Sequence, residues 1–225
     1  MSESPARAVL FDLDGTLLDT APDMAGALNQ LLHEEGRPPL AFAHIRPHVS
    51  HGSTAMVRLG FADATDTRFA ALRQRYLEIY GTCLAEETRV FDGLDAALAK
   101  LEAAGIPWGI VTNKPGWLTG PLLEQLELHH RARVVVSGDT LPERKPHPAP
   151  LLHAAKGLGI APTDCIYIGD AERDAIAARA AGMKMFVALF GYIPAEERPE
   201  EWPATGRLRN TQEMIALLEG LAVNA

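Results

Sequence analysis

Residues 8–20 read Ala8-Val9-Leu10-Phe11-Asp12-Leu13-Asp14-Gly15-Thr16-Leu17-Leu18-Asp19-Thr20. This stretch decides how the chain is interpreted, because an apolar run of strand length ends abruptly in two carboxylates and a glycine. In a regular strand alternate side chains share a face, so the like charges of Asp12 and Asp14 would repel each other. A bound cation would relieve that repulsion. The stretch is therefore interpreted as an active-site segment at the end of a buried strand.

Two other interpretations of this stretch are available. A strand that ends in an acidic turn is the simpler one, because Asp and Gly are common turn residues. A calcium-binding loop needs glycine at its sixth position and a bidentate glutamate at its twelfth. Counting from Asp12, these positions hold Leu17 and Asp23. The sequence therefore disfavours a calcium loop, and the rest of the chain must supply partners for an active site.

The composition predicts an ordinary globular protein. The chain has 225 residues, of which 47% are hydrophobic and 22% charged, so it can bury a sizeable core. The formal net charge of −8 disfavours nucleic acid as a partner, because phosphate-backbone binding relies on clustered Lys and Arg. No apolar segment approaches the roughly 20 residues of a membrane span, and no signal-peptide pattern begins the chain. We expect a cytoplasmic protein without a membrane partner, in which Cys83 and Cys165 are reduced thiols.

The pattern of apolar residues divides the chain into two units. Residues 20–88 show helical spacing without a convincing strand, and residues 46–52 are their most polar and least helical stretch. Beyond Val90 helices alternate with apolar strands, which are predicted at residues 108–112, 134–137, 165–169 and 185–189. Such alternation predicts a parallel sheet covered on both faces, with ligands bound at the carboxyl ends of the strands. Residues 1–19 and 89–225 would form this core, residues 20–88 a helical insert, and residues 195–203 a solvated loop.

Polar side chains follow each of the apolar strands. In chain order the strands deliver Asp12 and Asp14, then Thr112-Asn113-Lys114, then Ser137-Gly138-Asp139, and finally Asp170 with Asp174 four residues on. Any one of these residues alone is as compatible with a turn or a helix cap as with a site, because loops are polar in general. Several carboxylates, a hydroxyl and a lysine on one sheet edge are harder to explain in that way. The sequence therefore predicts that the site lies on this edge.

Four ordered segments carry a resemblance to a known family. They are Asp12-Leu13-Asp14-Gly15-Thr16-Leu17-Leu18-Asp19-Thr20, Val111-Thr112-Asn113-Lys114, Lys145-Pro146-His147-Pro148 and Gly169-Asp170-Ala171-Glu172-Arg173-Asp174. In this order they resemble the motifs of the haloacid dehalogenase-like hydrolase superfamily. Within it the chain is similar to the phosphoglycolate phosphatase group, and this similarity extends to residues 138–143 and 190–192. The resemblance implies an α/β fold: a Rossmann-like doubly wound parallel sheet with a helical cap domain inserted after the first strand.

The resemblance also implies roles for the acidic residues. Asp12 would be the nucleophile that forms an aspartyl-phosphate, and Asp14 the general acid and then the general base. Mg²⁺ would be bound by Asp12, the backbone carbonyl of Asp14 and Asp170. Asp174 would ligate the metal directly or through a bound water, and both arrangements stay open. Asp12 and Asp14 then differ in role, which requires the strand to lose its regular conformation after Asp12, with Gly15 permitting the turn.

The remaining predicted site residues would hold the phosphoryl group and the leaving group. Thr112, Asn113 and Lys145 would bind the phosphoryl oxygens, whereas Lys114, Arg144 and Arg173 are interpreted as surface charges. The insert would act as a lid, and its polar stretch is predicted to determine specificity through Arg46, His48, Ser50 and His51. An inert loop is an equal alternative for that stretch. Zinc binding by its histidines is disfavoured, because no Cys or HExxH pattern accompanies them.

These expectations together indicate a Mg²⁺-dependent phosphomonoester hydrolase, either monomer or homodimer, that acts on a small phosphorylated metabolite. Resemblance makes 2-phosphoglycolate the leading substrate. N-acetylmuramic acid 6-phosphate or another sugar phosphate is the alternative, because the segment 191–203 also resembles bacterial phosphatases of that kind. A phosphosugar mutase would share Asp12 and Asp14 but yield no free phosphate. A non-catalytic phosphate-binding module is disfavoured, because it would have no need of Asp14.

Overall fold

A parallel sheet forms the centre of the protein, whose computed structural model describes residues 6–223. The strands are β1 (Ala8–Phe11), β2 (Leu18–Asp19), β3 (Arg89–Val90), β4 (Trp108–Val111), β5 (Val135–Val136), β6 (Cys165–Gly169), β7 (Lys184–Ala188) and β8 (Gly206–Leu208). Six of them pair in the order β5-β4-β1-β6-β7-β8, and every pair in this sheet is parallel. The predicted α/β fold with a Rossmann-like sheet is confirmed. The remaining two strands, β2 and β3, form a short antiparallel pair.

The helices surround this sheet and follow the pattern of apolar residues in the sequence. They are α1 (Ala21–Glu34), α2 (Phe42–Ile45), α3 (Gly52–Gly60), α4 (Asp66–Thr82), α5 (Leu94–Ala103), α6 (Gly116–Gln125), α7 (Ala149–Leu158), α8 (Glu172–Ala181) and α9 (Thr211–Val223), with 3-10 helices at Arg46–His51 and Pro162–Asp164. None of the helices within residues 6–223 combines the length and the apolar character needed to cross a bilayer.

The side chains of β1 show how the sheet is covered on both faces. Val9 and Phe11 belong to one buried cluster, which also contains residues of α5 and α9. Ala8 and Leu10 belong to a second cluster on the opposite face, which contains residues of α7 and α8. Because alternate residues of a strand point to opposite faces, a continuous apolar run is what a strand covered on both sides requires.

The order of the strands places the end of β1 at the centre of one sheet edge. β1 lies between β4 and β6, with Phe11 opposite both Ile110 and Ile168. After β1 the chain forms β4 and β5 on one side of β1, and it then crosses to the other side of β1 to form β6. Such a reversal opens a crevice at the carboxyl ends of the strands, where ligands bind in sheets of this type. Asp12 follows β1 at this crevice.

The helical insert, residues 20–88, leaves the core after β2 and returns to it through β3. Its helices α1 to α4 pack on one another, and their apolar side chains join the cluster that covers one face of the sheet. The stretch predicted to be least helical forms the 3-10 helix Arg46–His51, so that prediction was wrong. Pro47 stands in its first turn, where a missing N–H costs nothing. The division of the chain into two domains stays a prediction.

Two further features of the fold differ from the sequence-based prediction. Strand β8 was not predicted, because three residues give no usable alternation of apolar and polar side chains. The segment 195–203 was predicted to be a solvated loop, yet Trp202 is buried in the cluster that contains Tyr167. A surface loop that carries one aromatic side chain can thus be anchored by it.

Candidate active site

Asp12 lies at the centre of the site and is almost fully buried. Lys145 Nζ lies 2.9 Å from Asp12 Oδ1, and the backbone N–H of Leu13 donates to the same oxygen. Arg173 Nη2 lies 3.9 Å from Oδ2. Burial acts to raise the pKa of Asp12, but the charges of Lys145 and Arg173 outweigh it and hold the pKa below its usual value. Asp12 is therefore an ionised carboxylate in a fixed orientation.

Asp14 does not share the environment of Asp12, because the backbone turns between them. β1 ends at Phe11, and Gly15 has a φ of +80°, which favours glycine. A Cβ at Gly15 would lie 2.2 Å from Asp170 Oδ2, so this position also needs glycine for close packing. The turn directs the Asp14 carboxylate to Lys114, whose Nζ lies 2.9 Å from Oδ1. The loss of regular strand that the sequence requires is thus present, and the two aspartates have different partners.

Three buried carboxylates converge at the end of the sheet. Asp12, Asp170 and Asp174 each place one oxygen within 4.8 Å of the others. Asp170 Oδ2 accepts hydrogen bonds from Ser50 Oγ at 2.6 Å and from the N–H of Tyr192 at 2.8 Å. Asp170 Oδ1 is buried and has no hydrogen-bond partner within residues 6–223. An orphaned carboxylate oxygen beside two other carboxylates is the donor set that a divalent, oxygen-binding cation prefers, so these residues fit such an ion.

The electrostatics of Asp170 point to the same ion. Burial, together with the charges of Asp12 and Asp174, raises the pKa of Asp170 from 3.8 to about 8. The unfolded chain ionises this group near the lower value, so unfolding between the two pH values releases a proton. The free energy of unfolding of the metal-free protein therefore falls as the pH rises through this window. A bound cation would remove the penalty by favouring the ionised form.

We expect the substitution Asp170→Asn to stabilise the metal-free protein at pH 8 by a few kcal/mol. At pH 5 the effect should be much smaller, because the carboxyl of Asp170 is then already neutral. The measurement is thermal unfolding at both pH values in the presence of a chelator. An equal effect of the substitution at pH 5 and at pH 8 would contradict the raised pKa of Asp170.

Lys145 is held under the three carboxylates by four buried acceptors. Its Nζ lies 2.9 Å from Asp12 Oδ1 and 2.7 Å from Asp174 Oδ1, and it donates to the carbonyl of Val111 and to Tyr167 Oη, each at 2.8 Å. Tyr167 Oη in turn lies 2.9 Å from the carbonyl of Val111 and 3.2 Å from Asp174 Oδ1. The sequence did not indicate Tyr167, because a tyrosine within an apolar strand is usually a core residue. Its hydroxyl fixes the position of the Lys145 ammonium.

We expect Tyr167→Phe to lower kcat/KM about tenfold and the free energy of unfolding by about 1 kcal/mol, because Lys145 loses one of its buried partners. Steady-state kinetics and chemical denaturation would measure the two effects. Tyr192→Phe is the matched control: its buried hydroxyl bonds Asp19 and the N–H of Ala21, and Tyr192 does not line the cavity. A similar loss of activity in both variants would contradict the positioning role of Tyr167.

Thr112 and Asn113 follow β4 beside Asp12. Thr112 is buried, and its Oγ1 accepts the N–H of Lys114 at 3.1 Å, which leaves its hydroxyl proton to donate. Asn113 Nδ2 donates to the carbonyl of Lys145 at 2.9 Å and so braces the segment that carries the lysine. Asn113 Oδ1 has no hydrogen-bond partner among the described residues. Both residues line the same cavity as Asp12.

Two of the four predicted specificity residues lie at the site. Ser50 donates to Asp170, as described above, and its carbonyl accepts a hydrogen bond from Arg173 Nη2 at 2.7 Å. His51 lines the cavity, and its Nε2 lies 2.7 Å from Glu197 Oε1. The insert is thus joined to the core beside the carboxylates. Ser50 also lines the cavity, and its hydroxyl contacts a candidate metal ligand.

Arg46 and His48, the other two predicted specificity residues, do not line the cavity. Arg46 donates to the carbonyls of Phe190 and Gly191, and its guanidinium lies 4.8 Å from the ring centroid of Tyr192. The ring of His48 packs on that of His44 at 6.1 Å. These side chains attach the 3-10 helix to the core and to its neighbours.

The interpretation of Lys114 and Arg173 as surface charges was wrong. Lys114 is buried and pairs with Asp14, and its Nζ lies 4.6 Å from the ring centroid of Tyr80. Arg173 is partly buried between Asp12 and Ser50. The sequence did contain a usable signal, because a cluster of buried carboxylates requires neighbouring cations. Arg144, interpreted in the same way, is exposed but lines the cavity.

A cavity of about 440 Å³ opens beside these residues, between the sheet edge and the insert. Its core wall contains Asp12, Asp14, Thr112, Asn113, Lys114, Lys145 and Arg173, and its insert wall contains residues 50–54 and the α4 residues Arg73, Tyr76, Leu77 and Tyr80. This core wall sets the cations Lys114, Lys145 and Arg173 beside the carboxylates of Asp12 and Asp14. The arrangement can hold an anion against a carboxylate nucleophile and a divalent cation.

Comparisons with known proteins agree with this arrangement. A family model described as Haloacid dehalogenase-like hydrolase matches residues 9–188. A phosphoglycolate phosphatase of Xanthomonas campestris pv. campestris is 50% identical over 198 residues, which cover 88% of this chain and 90% of that protein. An N-acetylmuramic acid 6-phosphate phosphatase of Pseudomonas aeruginosa is 39% identical over 220 residues, which cover 97% of each. A crystal structure described as a predicted phosphoglycolate phosphatase from Haemophilus somnus has a TM-score of 0.84 and 25% identity, and covers 95% of this chain and 98% of that one.

Proposed function

This chain belongs to the haloacid dehalogenase-like hydrolase family and is a phosphatase, and from that premise we propose that it is a Mg²⁺-dependent phosphoglycolate phosphatase. It would act in the cytoplasm, as a monomer or a homodimer. The observation that carries the proposal is the cluster of Asp12, Asp170 and Asp174 at the end of β1. Two of these carboxylates contact the buried Lys145, and Asp12 and Lys145 line a cavity large enough for a small phosphate ester. The likeness to the Xanthomonas enzyme supports the choice of substrate.

Asp12 is the proposed nucleophile. Its lowered pKa keeps it ionised, and its contact with Lys145 fixes its orientation. An Asp12 oxygen would form a bond to phosphorus while the bond from phosphorus to the leaving oxygen breaks, which gives an aspartyl-phosphate and an alcohol. Water would then attack phosphorus, release inorganic phosphate and regenerate the carboxylate. Two displacements of moderate barrier replace a single difficult one.

Asp14 is the proposed general acid and base. It would protonate the departing alkoxide and then accept a proton from the attacking water. Asp14 is not one of the three clustered carboxylates, and Lys114 Nζ lies 2.9 Å from its Oδ1. We therefore add Lys114 to the predicted site as the residue that positions Asp14. A carboxylate that belonged to the metal cluster would be less able to exchange protons with a leaving group.

Positive charge and hydrogen-bond donors would stabilise the phosphoryl oxygens. Lys145 and Arg173 are the cations nearest Asp12, and the Thr112 hydroxyl proton is available to donate. Asn113 would add a further contact while it braces the backbone of Lys145. Groups fixed in this way need no reorganisation when charge develops on the oxygens in the transition state, so they lower the barrier efficiently.

Asp12 and Asp170 are the proposed side-chain ligands of Mg²⁺, together with the backbone carbonyl of Asp14. The cation would supply positive charge to the phosphoryl oxygens and neutralise the repulsion among the carboxylates. Asp174 has partners on both oxygens, because Oδ1 lies 2.7 Å from Lys145 Nζ and Oδ2 accepts the N–H of Ala171 at 3.1 Å. These contacts favour an interaction of Asp174 with the ion through a bound water.

The helical insert is the proposed cap domain, with residues 20–88 as its extent. It forms one wall of the cavity, and Ser50 joins it to the core beside Asp170. A cap in this place would exclude bulk water during the first displacement and contact the leaving group. Of the residues predicted to determine specificity, His51 keeps that proposed role, whereas Arg46 and Ser50 would hold the cap on the core and His48 would pack within the cap.

The size of the cavity favours a second candidate substrate. A volume of about 440 Å³ falls in the range of pockets that enclose drug-sized ligands, roughly 300–1,000 Å³. Phosphoglycolate would fill only a part of it, whereas N-acetylmuramic acid 6-phosphate is of the appropriate size. The likeness to the Pseudomonas enzyme over 97% of the chain supports this alternative.

The test is phosphate release from both compounds and from common hexose phosphates, with Mg²⁺ present, compared as kcat/KM. The proposal requires one of these phosphate esters to be hydrolysed and predicts phosphoglycolate as the best. A higher kcat/KM for N-acetylmuramic acid 6-phosphate than for phosphoglycolate would make the sugar phosphate the preferred candidate substrate. No hydrolysis of any member, or hydrolysis that is independent of divalent metal, would refute the proposed mechanism.

A further inference from the structure

The helix α4 presents one face to the cavity. Arg73, Tyr76, Leu77 and Tyr80 all line it, and their spacing of three or four residues is that of one helix face. Three of these residues are apolar or aromatic, and Arg73 is the cationic one. It stands on the insert wall, across from the residues that surround Asp12. A leaving group bound in the cavity would therefore have a cation at its far end.

Arg73 differs from the other arginines of α4 in its partners. Arg68 and Arg75 pair with the carboxylates of Glu35 and Glu34. For Arg73 no carboxylate lies within ion-pair distance in the part of the chain that the structure describes. Its Nε donates to Ser53 Oγ at 2.9 Å, which orients the guanidinium. The two Nη groups are left as a planar fork of donors, the arrangement that binds a carboxylate through two parallel hydrogen bonds.

Two neighbouring features also suit an anion. Ser53 lies in the first turn of α3, which lines the cavity, and the N-terminal end of a helix attracts negative charge. Tyr80 is 1% exposed and lines the same cavity, and its hydroxyl has no hydrogen-bond partner within residues 6–223. A buried hydroxyl without a partner is unusual in a folded protein and indicates a group that arrives with a ligand.

We propose that Arg73 binds a carboxylate on the leaving group, with Tyr80 as a further hydrogen-bond donor on the same helix face, so that the enzyme selects phosphate esters of hydroxy acids. The inference rests on the proposed function and narrows its substrate class. Glycolate and muramic acid both carry a carboxylate, so both candidate substrates meet this requirement. Binding energy far from phosphorus would orient the ester for attack by Asp12.

The test compares substrates that carry the carboxylate with related esters that lack it. Phosphoglycolate is paired with 2-hydroxyethyl phosphate, and N-acetylmuramic acid 6-phosphate with N-acetylglucosamine 6-phosphate. Within each pair, the ratio of kcat/KM for the acidic member to that for the neutral member measures the preference for the carboxylate. We expect Arg73→Gln to lower this ratio about 10- to 100-fold in the pair that the wild type prefers, the scale of a lost charged hydrogen bond.

Further variants separate recognition from structure. Arg73→Lys keeps the charge but not the fork and should restore part of the preference, and Tyr80→Phe should lower the ratio severalfold while it keeps the ring beside Lys114. Arg75→Gln removes an arginine of the same helix that faces Glu34, and it should leave the ratio unchanged. Thermal unfolding would establish that each variant is folded.

The possible outcomes distinguish this inference from the proposed function. Phosphate release by the wild type, with a ratio that Arg73→Gln leaves unchanged, would overturn the carboxylate subsite and leave the phosphatase mechanism intact. A wild type that hydrolyses simple esters such as p-nitrophenyl phosphate but shows no preference for the acidic members would do the same. No phosphate release from any ester would refute both.

Discussion

Asp12→Asn is expected to abolish phosphate release, with a loss in kcat of about 10⁴-fold or more, as seen when a covalent nucleophile is removed. The amide has nearly the same shape as the carboxylate but cannot attack phosphorus. The amide is also uncharged, and its NH₂ group donates hydrogen bonds where the carboxylate of Asp12 accepts them. Lys145 therefore loses one of its charged partners. The measurement is single-turnover and steady-state phosphate release on the best substrate of the panel, with circular dichroism to establish the fold.

The matched control for this substitution is Asp95→Asn. Asp95 pairs with Arg131 on the surface and lies outside the cavity, so its substitution should leave turnover within about twofold of the wild type, as is usual for surface changes. Acid quenching should also trap a phosphorylated form of the wild type but not of Asp12→Asn. Full activity of Asp12→Asn would mean that another group attacks phosphorus, and the assignment of the nucleophile would have to be abandoned.

Removal of divalent metal by a chelator is expected to stop turnover and also to destabilise the protein. Without the ion, three buried carboxylates face one another with Lys145 and Arg173 as their nearby cations. Saturating Mg²⁺ should restore activity. At 100 times its dissociation constant it should raise the free energy of unfolding by about 2.7 kcal/mol, as binding to the folded state alone requires.

The control for metal removal is the variant Asp170→Asn. Asp170 Oδ1 is the buried oxygen without a partner, so its replacement should weaken the response of both activity and melting temperature to Mg²⁺. Calcium provides a second comparison, because it prefers more ligands at longer distances. A chelated enzyme that retains full activity, or an Asp170→Asn variant that responds to Mg²⁺ like the wild type, would argue against the proposed ligands.

Much of the fold could be predicted because the sheet is covered on both faces. Its inner strands are continuous apolar runs, and β6 spans the predicted residues, while β4 differs from prediction by one residue at one end and β5 and β7 by one residue at each end. The carboxyl ends of parallel strands meet at one edge, so Asp12, Thr112 and Asp170 were correctly predicted to lie together. Their chemical roles stay predictions that the experiments above address.

Local sequence patterns did not single out the residues whose function depends on distant partners. Lys114 follows β4 like any loop lysine, and its burial results from the turn that directs Asp14 toward it across 100 positions of sequence. Tyr167 has the local pattern of a core residue until its hydroxyl is seen beside Lys145. Arg46 and His48 lie outside the cavity, because Arg46 donates to the carbonyls of Phe190 and Gly191 and His48 packs on His44. A polar segment next to a site can serve contacts of this kind instead of substrate binding.

Ser50 is the one residue of the insert whose side chain donates to a buried carboxylate of the cluster, among the residues that the structure describes. Its carbonyl is held by Arg173, which also approaches Asp12. With the proposed cap and cation, cation affinity and the population of the docked insert would be thermodynamically linked. The factor by which docking of the insert raises the metal affinity must equal the factor by which bound metal raises the docking equilibrium constant, because the coupling free energy is reciprocal.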